Sequence, residues 1–317
     1  MPKPDVLVAA KFPPYLMDRL KQDFTVHDRL HETDPAAFAA VAPKVRAVAC
    51  GGESKVPRAL MDQLPALEMI SVMGVGYDGV DVAAALQRKV PVTHTPNVLN
   101  DDVADLAIAL MLSVSRRIPQ ADRFVRENRW PAGAFPLARK MSGARLGIVG
   151  LGRIGQAIAQ RAAAFGMGIS YTARGEKKEM PHRYYPSAAA LAAQVDFLVV
   201  ITPGGAGTAR MINRQVLDAL GPQGYLVNVA RGSVVDQQAL IEALQSGRIA
   251  GAGLDVFEDE PQVPQALREM DNVVLTPHVG SGTDATRQAM ADLAHANLVA
   301  HFAGQPLPSA VPEWRAR

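Results

Sequence analysis

A single cysteine, Cys50, is all that the 317 residues contain. One thiol cannot form an internal disulfide and no CxxC knuckle exists, so burial rather than a covalent or metal staple has to hold the fold. Charge of one sign is equally scarce: 33 Lys and Arg oppose 31 Asp and Glu, leaving +2, with the basic residues scattered along the chain. Nucleic-acid binders carry a concentrated basic footprint, so the expected partner is a small molecule. Long apolar runs are missing too. The run after "MPKPD" covers five residues before Lys11, too few for a signal-peptide core. The most apolar helix-like stretch, "LAIALMLSVS" at 106–115, falls well short of the ~20 residues of a membrane span. No membrane partner is expected, and a cytoplasmic enzyme or binding protein is the class that remains. The seven histidines show no HExxH spacing, and no metal site is expected.

Hydrophobic residues make up 48% of the chain and charged ones 20%, the balance of a globular protein, and the length suggests two domains of about 150 residues. Short β-branched runs alternate with helical patterns from the start. "DVLVAA", "TVHDR", "VRAVACG", "LEMISVM" and "PVTHT" read as strands, with helices between them, which implies a parallel sheet ending near residue 98. One apolar helix is expected over 101–118, with acids at its start and arginines at its end, as the helix dipole favours. From 119 to 143 the pattern breaks, and the segment reads as a linker or subunit contact. A second series follows: "RLGIVG", "GISYTA", "DFLVVI", "YLVNV", "AGAGLDV" and "NVVLTP" give six strands of a doubly wound sheet. A last helix, roughly 284 to 303, is expected to return to the first domain and leave a cleft between two α/β lobes.

GxGxxG occurs twice, as "GVGYDG" (Gly74, Gly76, Gly79) and "GLGRIG" (Gly150, Gly152, Gly155), each after an expected strand and before an expected helix. A pyrophosphate needs unpaired N–H groups at a helix N-terminus. Asp78 and Asp81 place negative charge after the first motif, whereas Arg153 puts a cation beside the second, which is therefore the expected dinucleotide site. For "GVGYDG" two readings stay open: a tight turn, or N–H groups of Val75 and Gly76 that hold a small carboxylate. The strand after "GLGRIG" ends in "YTARGEKK". No acid stands there to take a ribose 2′-hydroxyl, and Arg174 can pair with a 2′-phosphate, so NADP(H) is expected over NAD(H). A merely solvated loop of Arg174, Lys177 and Lys178 is the alternative.

Three further strand ends carry titratable groups: Arg231 in "NVARGSVVD", four acids in "GLDVFEDEP", and His278 in "NVVLTPHVGSG". Together they suit reduction of a 2-oxo acid. A positioned arginine grips the carboxylate and stabilises the developing oxyanion, and a protonated histidine delivers the proton. A nearby carboxylate favours that protonated histidine and orients it. Chemistry alone does not choose among Glu258, Asp259 and Glu260. His94, His295 and His301 read as strand or helix-surface residues.

"GIVGLGRIGQAIAQRAAAFG", "VNVARGSVVDQQAL", "GAGLDVFEDEP" and "LTPHVGSGT", in this order, resemble the D-isomer-specific 2-hydroxyacid dehydrogenase family. The resemblance extends to "GVGYDGVDV" and "TPNVLNDDVADLAIALML" and so covers nearly the whole chain. It is strongest to the NADPH-dependent glyoxylate/hydroxypyruvate reductases and their hydroxyphenylpyruvate reductase relatives. The resemblance implies an α/β protein of two doubly wound parallel-sheet domains: a flavodoxin-like substrate domain from residues 1–98 plus 287–317, and a Rossmann coenzyme domain over 99–286.

The resemblance further implies a catalytic set of Arg231, Glu260 and His278. It assigns the dinucleotide to Gly150, Leu151, Gly152, Arg153, Ile154 and Gly155, its 2′-phosphate to Ala173, Arg174, Gly175 and Lys177, and its remaining contacts to Thr202, Pro203, Val229, Asp255 and Gly280, with Arg231 and His278. The substrate falls to Gly52, Val75, Gly76 and Leu99, again with Arg231 and His278. NADP(H) is the implied cofactor, with NAD(H) possible, and a homodimer is the implied assembly, with Trp130 and Phe135 reaching a neighbour's pocket or only packing at the interface. The implied reaction is reduction of glyoxylate or hydroxypyruvate, with hydroxyphenylpyruvate or 2-ketogluconate as alternative substrates. The chain departs from NADPH-using relatives where Ala173 and Gly175 replace serines, and where "TPGGAGT" replaces a proline-leucine-threonine pattern. A dinucleotide-sensing module on the same fold is the distant alternative. It is disfavoured because about 14 residues follow the last helix, with no extended tail. Formate dehydrogenases, which pair the histidine with glutamine, are disfavoured by Glu260.

Overall fold

Valine-, isoleucine- and methionine-rich runs of four to seven residues are too short for stable helices and become strands. Val6, Leu7, Val8, Val48, Met69, Ile70 and Val72 are all fully buried, each burial contributing about 1.5–3 kcal/mol. The computed structural model describes residues 2–315; residues 1, 316 and 317 of the expected substrate domain lie outside the described residues. Two units emerge: the described residues up to Leu99 together with those from Thr283 onward, and Asn100–Gly282.

The first unit is built on β1 (Asp5–Val8), β2 (Thr25–Asp28), β3 (Val45–Gly51), β4 (Met69–Met73) and β5 (Val92–Thr93). All pair in parallel in the order β2-β1-β3-β4-β5, the doubly wound order of flavodoxin-like sheets. Cys50 is buried in this core, and burial pushes its thiol up to about 12. The helix Asp284–Phe302 covers the sheet. Ser71 donates to the Ala294 carbonyl at 3.0 Å, and His295 and His301 meet Asp23 and Glu68 at 2.8 and 3.4 Å. His27 and His31 are four residues apart, but one lies in β2 and the other in the short helix Leu30–Thr33, so they do not share a helical face.

The second unit holds β6 (Arg145–Val149), β7 (Gly168–Thr172), β8 (Arg183–Tyr184), β9 (Phe197–Val200), β10 (Tyr225–Asn228), β11 (Gly251–Leu254) and β12 (Val273–Leu275). Their order is β12-β11-β10-β9-β6-β7-β8, all parallel. Seven strands form where six were expected; the extra one, β8, is a two-residue edge pair in which Tyr171 faces Tyr184. The order reverses at β6, between β7 and β9, and open α/β sheets bind ligands at such a switch point.

The apolar helix runs over Asn100–Arg116, ending earlier than expected because Arg117 turns left-handed (φ 53°). The segment from 119, expected to lack regular structure, instead continues a second helix, Ile118–Arg126. Pro119 sits in its first turn, where its missing N–H costs nothing.

Candidate active site

Asn228, the last residue of β10, is buried and shapes the turn that follows. Its Oδ1 accepts from the Ala230 N–H at 3.0 Å, and its Nδ2 donates to the Arg231 carbonyl at 3.0 Å. These bonds fix Arg231 at the strand's carboxyl end, with its guanidinium Nη1 donating to the Ala230 carbonyl at 2.7 Å. The next residue, Gly232, lies against the loop after β11: a Cβ there would stand 1.9 Å from the carbonyl carbon and oxygen of Phe257. Only a glycine lets the loop of Arg231 and the loop of the acids press together.

In that second loop Glu260 folds back. Its Oε1 accepts from the Phe257 N–H at 2.9 Å, while its Oε2 lies 2.8 Å from Nδ1 of His278. Glu258 turns to Arg210 at 3.3 Å, and the Asp259 carbonyl accepts from Gln262. Glu260 is thus the acid that geometry brings to the imidazole. His278 takes a left-handed backbone (φ 52°), uncommon for a side chain of its size. The strain is held by Asp255, whose carbonyl accepts from the His278 N–H at 2.8 Å. The Asp255 carboxylate accepts from Thr276 Oγ1 at 2.7 Å and from the N–H groups of Val279 and Gly280, each at 2.8 Å. Burial raises the Asp255 carboxyl above its ordinary value, opposed by those three donors and by His278. The His278 side chain keeps 30% of its surface exposed and that of Glu260 21%, so the pair is oriented yet reachable.

At the switch point, "GLGRIG" divides its glycines by task. Gly150 has φ +105°, and a Cβ there would lie 2.7 Å from the Ile201 carbonyl oxygen; one on Gly155 would lie 2.2 Å from the Gly150 carbonyl oxygen. These two permit the turn and the packing of the helix Arg153–Ala163 on its strand. Around Gly152 nothing lies within 4 Å of a Cβ, and this residue caps the helix without any side-chain bond. Leu151 is buried, Arg153 exposed and Ile154 half-buried. An open, uncapped helix N-terminus behind a close-approach glycine fits a dinucleotide pyrophosphate. Beyond β7, Ala173 is half-buried and Arg174 and Gly175 are exposed. This loop is anchored from below: the Lys177 N–H donates to the buried Tyr171 phenol at 2.6 Å. Thr202 and Pro203 follow β9, and Thr208 Oγ1 closes their loop on the Pro203 carbonyl at 2.7 Å. Val229 is buried and hydrogen-bonded to the Val200 carbonyl.

In the first unit, Gly52 and the Val75–Gly76 turn follow adjacent strands β3 and β4, and a Cβ on Gly74 would stand 2.9 Å from the Gly52 Cα. Leu99 is buried. The expectation that "GVGYDG" opens a helix is corrected: the helix is Val82–Gln87, beginning three residues after Gly79, and its first turn is capped by Asp81, which accepts from the Ala84 N–H at 2.9 Å. Gly79 is required instead by the Ser54 carbonyl, 2.2 Å from where its Cβ would be. Sequence reasoning also passed over Asn228, Gly232, Thr276 and Tyr171. Of these, Asn228 carried a local signal, since asparagine at a strand end bonds the backbone two or three residues on.

Comparison with known proteins adds a second line. The family profile described as "D-isomer specific 2-hydroxyacid dehydrogenase, NAD binding domain" matches residues 108–280. Hydroxyphenylpyruvate reductase of Plectranthus scutellarioides is 48% identical over 305 residues, covering 95% of this chain and 97% of its own. The 2-ketogluconate reductase of Gluconobacter oxydans is 45% identical, covering 96% and 97%. Among solved structures, the NADPH-dependent glyoxylate/hydroxypyruvate reductase of Sinorhizobium meliloti, in complex with NADP and malonate, superposes with a TM-score of 0.93 at 46% identity, covering 98% of each chain. With an open dinucleotide turn at the sheet's switch point and an oriented histidine–glutamate pair on the same unit, the chain belongs to the D-isomer-specific 2-hydroxyacid dehydrogenase family.

Proposed function

We propose that this enzyme is an NADPH-preferring reductase of small 2-oxo acids, of the glyoxylate/hydroxypyruvate type, giving D-2-hydroxy acids. The observation that carries the reading is the His278–Glu260 pair at 2.8 Å on the unit that also holds the open Gly150–Gly155 turn. In this reading Asn100–Gly282 is the coenzyme unit and the other is the substrate unit.

NADPH, when bound, supplies the hydride. The open N-terminus of the helix Arg153–Ala163 holds its pyrophosphate, Arg174 with Lys177 its 2′-phosphate, and Asp255 with Val229 and Gly280 its nicotinamide end. Val75 and Gly76 offer main-chain amides to the substrate carboxylate beside Gly52 and Leu99. Arg231 offsets negative charge as it grows on the carbonyl oxygen. With Nδ1 of His278 engaged by Glu260, the proton available for delivery sits on Nε2. Glu260 balances the charge of the doubly protonated ring and fixes its plane.

The exposed apolar surface of Ile118, Val125, Trp130 and Leu137 supports a homodimer formed through this segment. A cytoplasmic setting completes the proposal. No helix of the described residues is long and apolar enough to cross a membrane.

A kinetic panel tests the reading: glyoxylate, hydroxypyruvate, phenylpyruvate, hydroxyphenylpyruvate and 2-ketogluconate, each with NADPH and NADH. The expected result is the highest kcat/KM for hydroxypyruvate or glyoxylate with NADPH. A preference for hydroxyphenylpyruvate or 2-ketogluconate would move the assignment to the activities named for the relatives of Plectranthus and Gluconobacter. Absence of turnover with every 2-oxo acid would leave a dinucleotide-binding module.

A further inference from the structure

We infer that His94 is a positioning residue for the carboxylate-receiving turn, aiming and polarising the Gly76 amide from behind. The inference rests on the proposal that Val75 and Gly76 receive the substrate carboxylate, and it concerns a side chain whose position just after β5 marks it as nothing more than a strand-end residue.

Nδ1 of His94 lies 2.9 Å from the Val75 carbonyl oxygen. A carbonyl can only accept, so Nδ1 carries the proton and donates. That carbonyl and the Gly76 N–H belong to one planar trans peptide unit and point in opposite directions. Fixing the oxygen therefore fixes the line along which the N–H projects, and withdrawing electron density at the oxygen strengthens the N–H as a donor. Among the described residues no backbone carbonyl accepts from the N–H of Val75 or Gly76.

The imidazole is itself held. The Tyr77 ring meets it edge-on, with centroids 5.2 Å apart and planes at 88°. The Tyr77 hydroxyl donates to the Glu313 carboxylate at 3.0 Å, and burial together with that carboxylate pushes the phenol up to about 12, so it stays a neutral donor. The His94 backbone is clamped on both sides by Ser309: the His94 N–H donates to the Ser309 carbonyl at 3.1 Å, and Ser309 Oγ donates to the His94 carbonyl at 2.6 Å. Ser309 is locked in turn by the fully buried Asn297, which donates to its Oγ at 2.7 Å and accepts its N–H at 3.1 Å. The main chain of Thr95 adds a bond to the Gly74 carbonyl at 2.8 Å. The C-terminal segment thus supports the turn through His94 and through Tyr77, two arms that meet at the imidazole.

The test compares His94→Asn, whose Nδ2 can take the place of the imidazole Nδ1, with His94→Leu, of similar size but with no donor. One neutral hydrogen bond, about 1 kcal/mol, corresponds to roughly five- to tenfold in affinity. The Leu variant is expected to raise KM for the 2-oxo acid about five- to tenfold, with kcat and the KM for NADPH within about twofold. The Asn variant is expected to recover most of the loss. If the Leu variant does not fold, His94→Phe, which keeps a ring against Tyr77, replaces it with the same expectation. Equal behaviour of the donor-bearing and donor-free variants, an unchanged substrate KM, or loss of kcat and NADPH affinity in step with it would overturn the inference. A native protein that reduces no 2-oxo acid would overturn the functional reading and this inference with it; an active native protein indifferent to the donor would overturn this inference alone.

Discussion

Gly232 and Phe257 touch through their backbones, so closely that a methyl group on Gly232 would overlap the Phe257 carbonyl. Arg231 stands one residue before this contact and Glu260 three residues beyond it, which makes the contact a spacer between the guanidinium and the histidine's carboxylate. Gly232→Ala forces the loops apart by more than an ångström to reach ordinary van der Waals distance. A displacement of that size costs about a hundredfold in rate, and the variant is expected to lose about that factor in kcat/KM while its melting temperature also falls. Unchanged kinetics in a folded Gly232→Ala protein would show that the spacing is not used.

Arg174 is exposed at the end of β7, on a loop that Tyr171 secures through Lys177 rather than through the arginine itself. Arg174→Ala should therefore leave the loop in place and remove only its ligand contact. A hydrogen-bonded charge pair is worth about 1.5–3 kcal/mol, so NADPH affinity measured by fluorescence titration is expected to fall at least tenfold. NADH affinity should barely change. A uniform loss of both would show that the loop does not read the 2′-phosphate.

Asp196, just before β9, accepts from Arg139 Nη2 at 2.8 Å, from the Arg145 N–H at 2.8 Å and from the Arg145 guanidinium at 3.0 and 3.1 Å. The hydrogen bonds from Arg145 hold its carboxyl below the ordinary aspartate value. A carboxyl lowered in the folded state contributes stability that is complete above the unfolded value of about 3.9 and is lost as pH falls through the folded value. Asp255 has the opposite sign: raised by burial, it opposes folding as pH rises past the ordinary value. Thermal melts of Asp196→Asn are expected to show lower stability at neutral pH, by about 1–3 kcal/mol, and a shallower decline below pH ~4 than the native protein. Parallel curves would mean that the Asp196 cluster does not contribute to the acid limb.

The five runs from "DVLVAA" to "PVTHT" all became strands of one parallel sheet; four are short, β-branched and buried, while "TVHDR" has no buried residue and was legible through Thr25 and Val26 alone. What escaped lacks burial. The helix Ile118–Arg126 has no buried residue, and Pro119, which sits in its first turn, read as a break in the pattern. The edge strand Arg183–Tyr184 has two residues and no β-branched side chain. "GVGYDG" was read as opening a helix because its glycines match a helix-opening turn, whereas Gly74 and Gly79 answer to a neighbouring loop at Gly52 and Ser54.

For the candidate site, the residue types at three strand ends named the chemistry, and the ordered motifs named the family. Residue chemistry left Glu258, Asp259 and Glu260 open and the resemblance named Glu260; the structure adds the cause, the Phe257 N–H turning the Glu260 side chain back to His278. The support from Asn228 follows the local habit of a strand-end asparagine, whereas that from Thr276 is a side-chain bond to the Asp255 carboxylate, 21 residues away in sequence, that no spacing rule encodes.

The most direct measurement is of His278→Gln: turnover with hydroxypyruvate and glyoxylate, beside NADPH affinity by titration. Glutamine keeps a polar side chain near Glu260 but cannot hold and release a proton, and general acid catalysis contributes about 10²–10⁴ in rate. The expected result is a kcat lower by about 10² or more with the dissociation constant for NADPH within about threefold of the native value. Turnover close to native, or a loss of NADPH binding as large as the loss of rate, would contradict the assignment of His278 as proton donor.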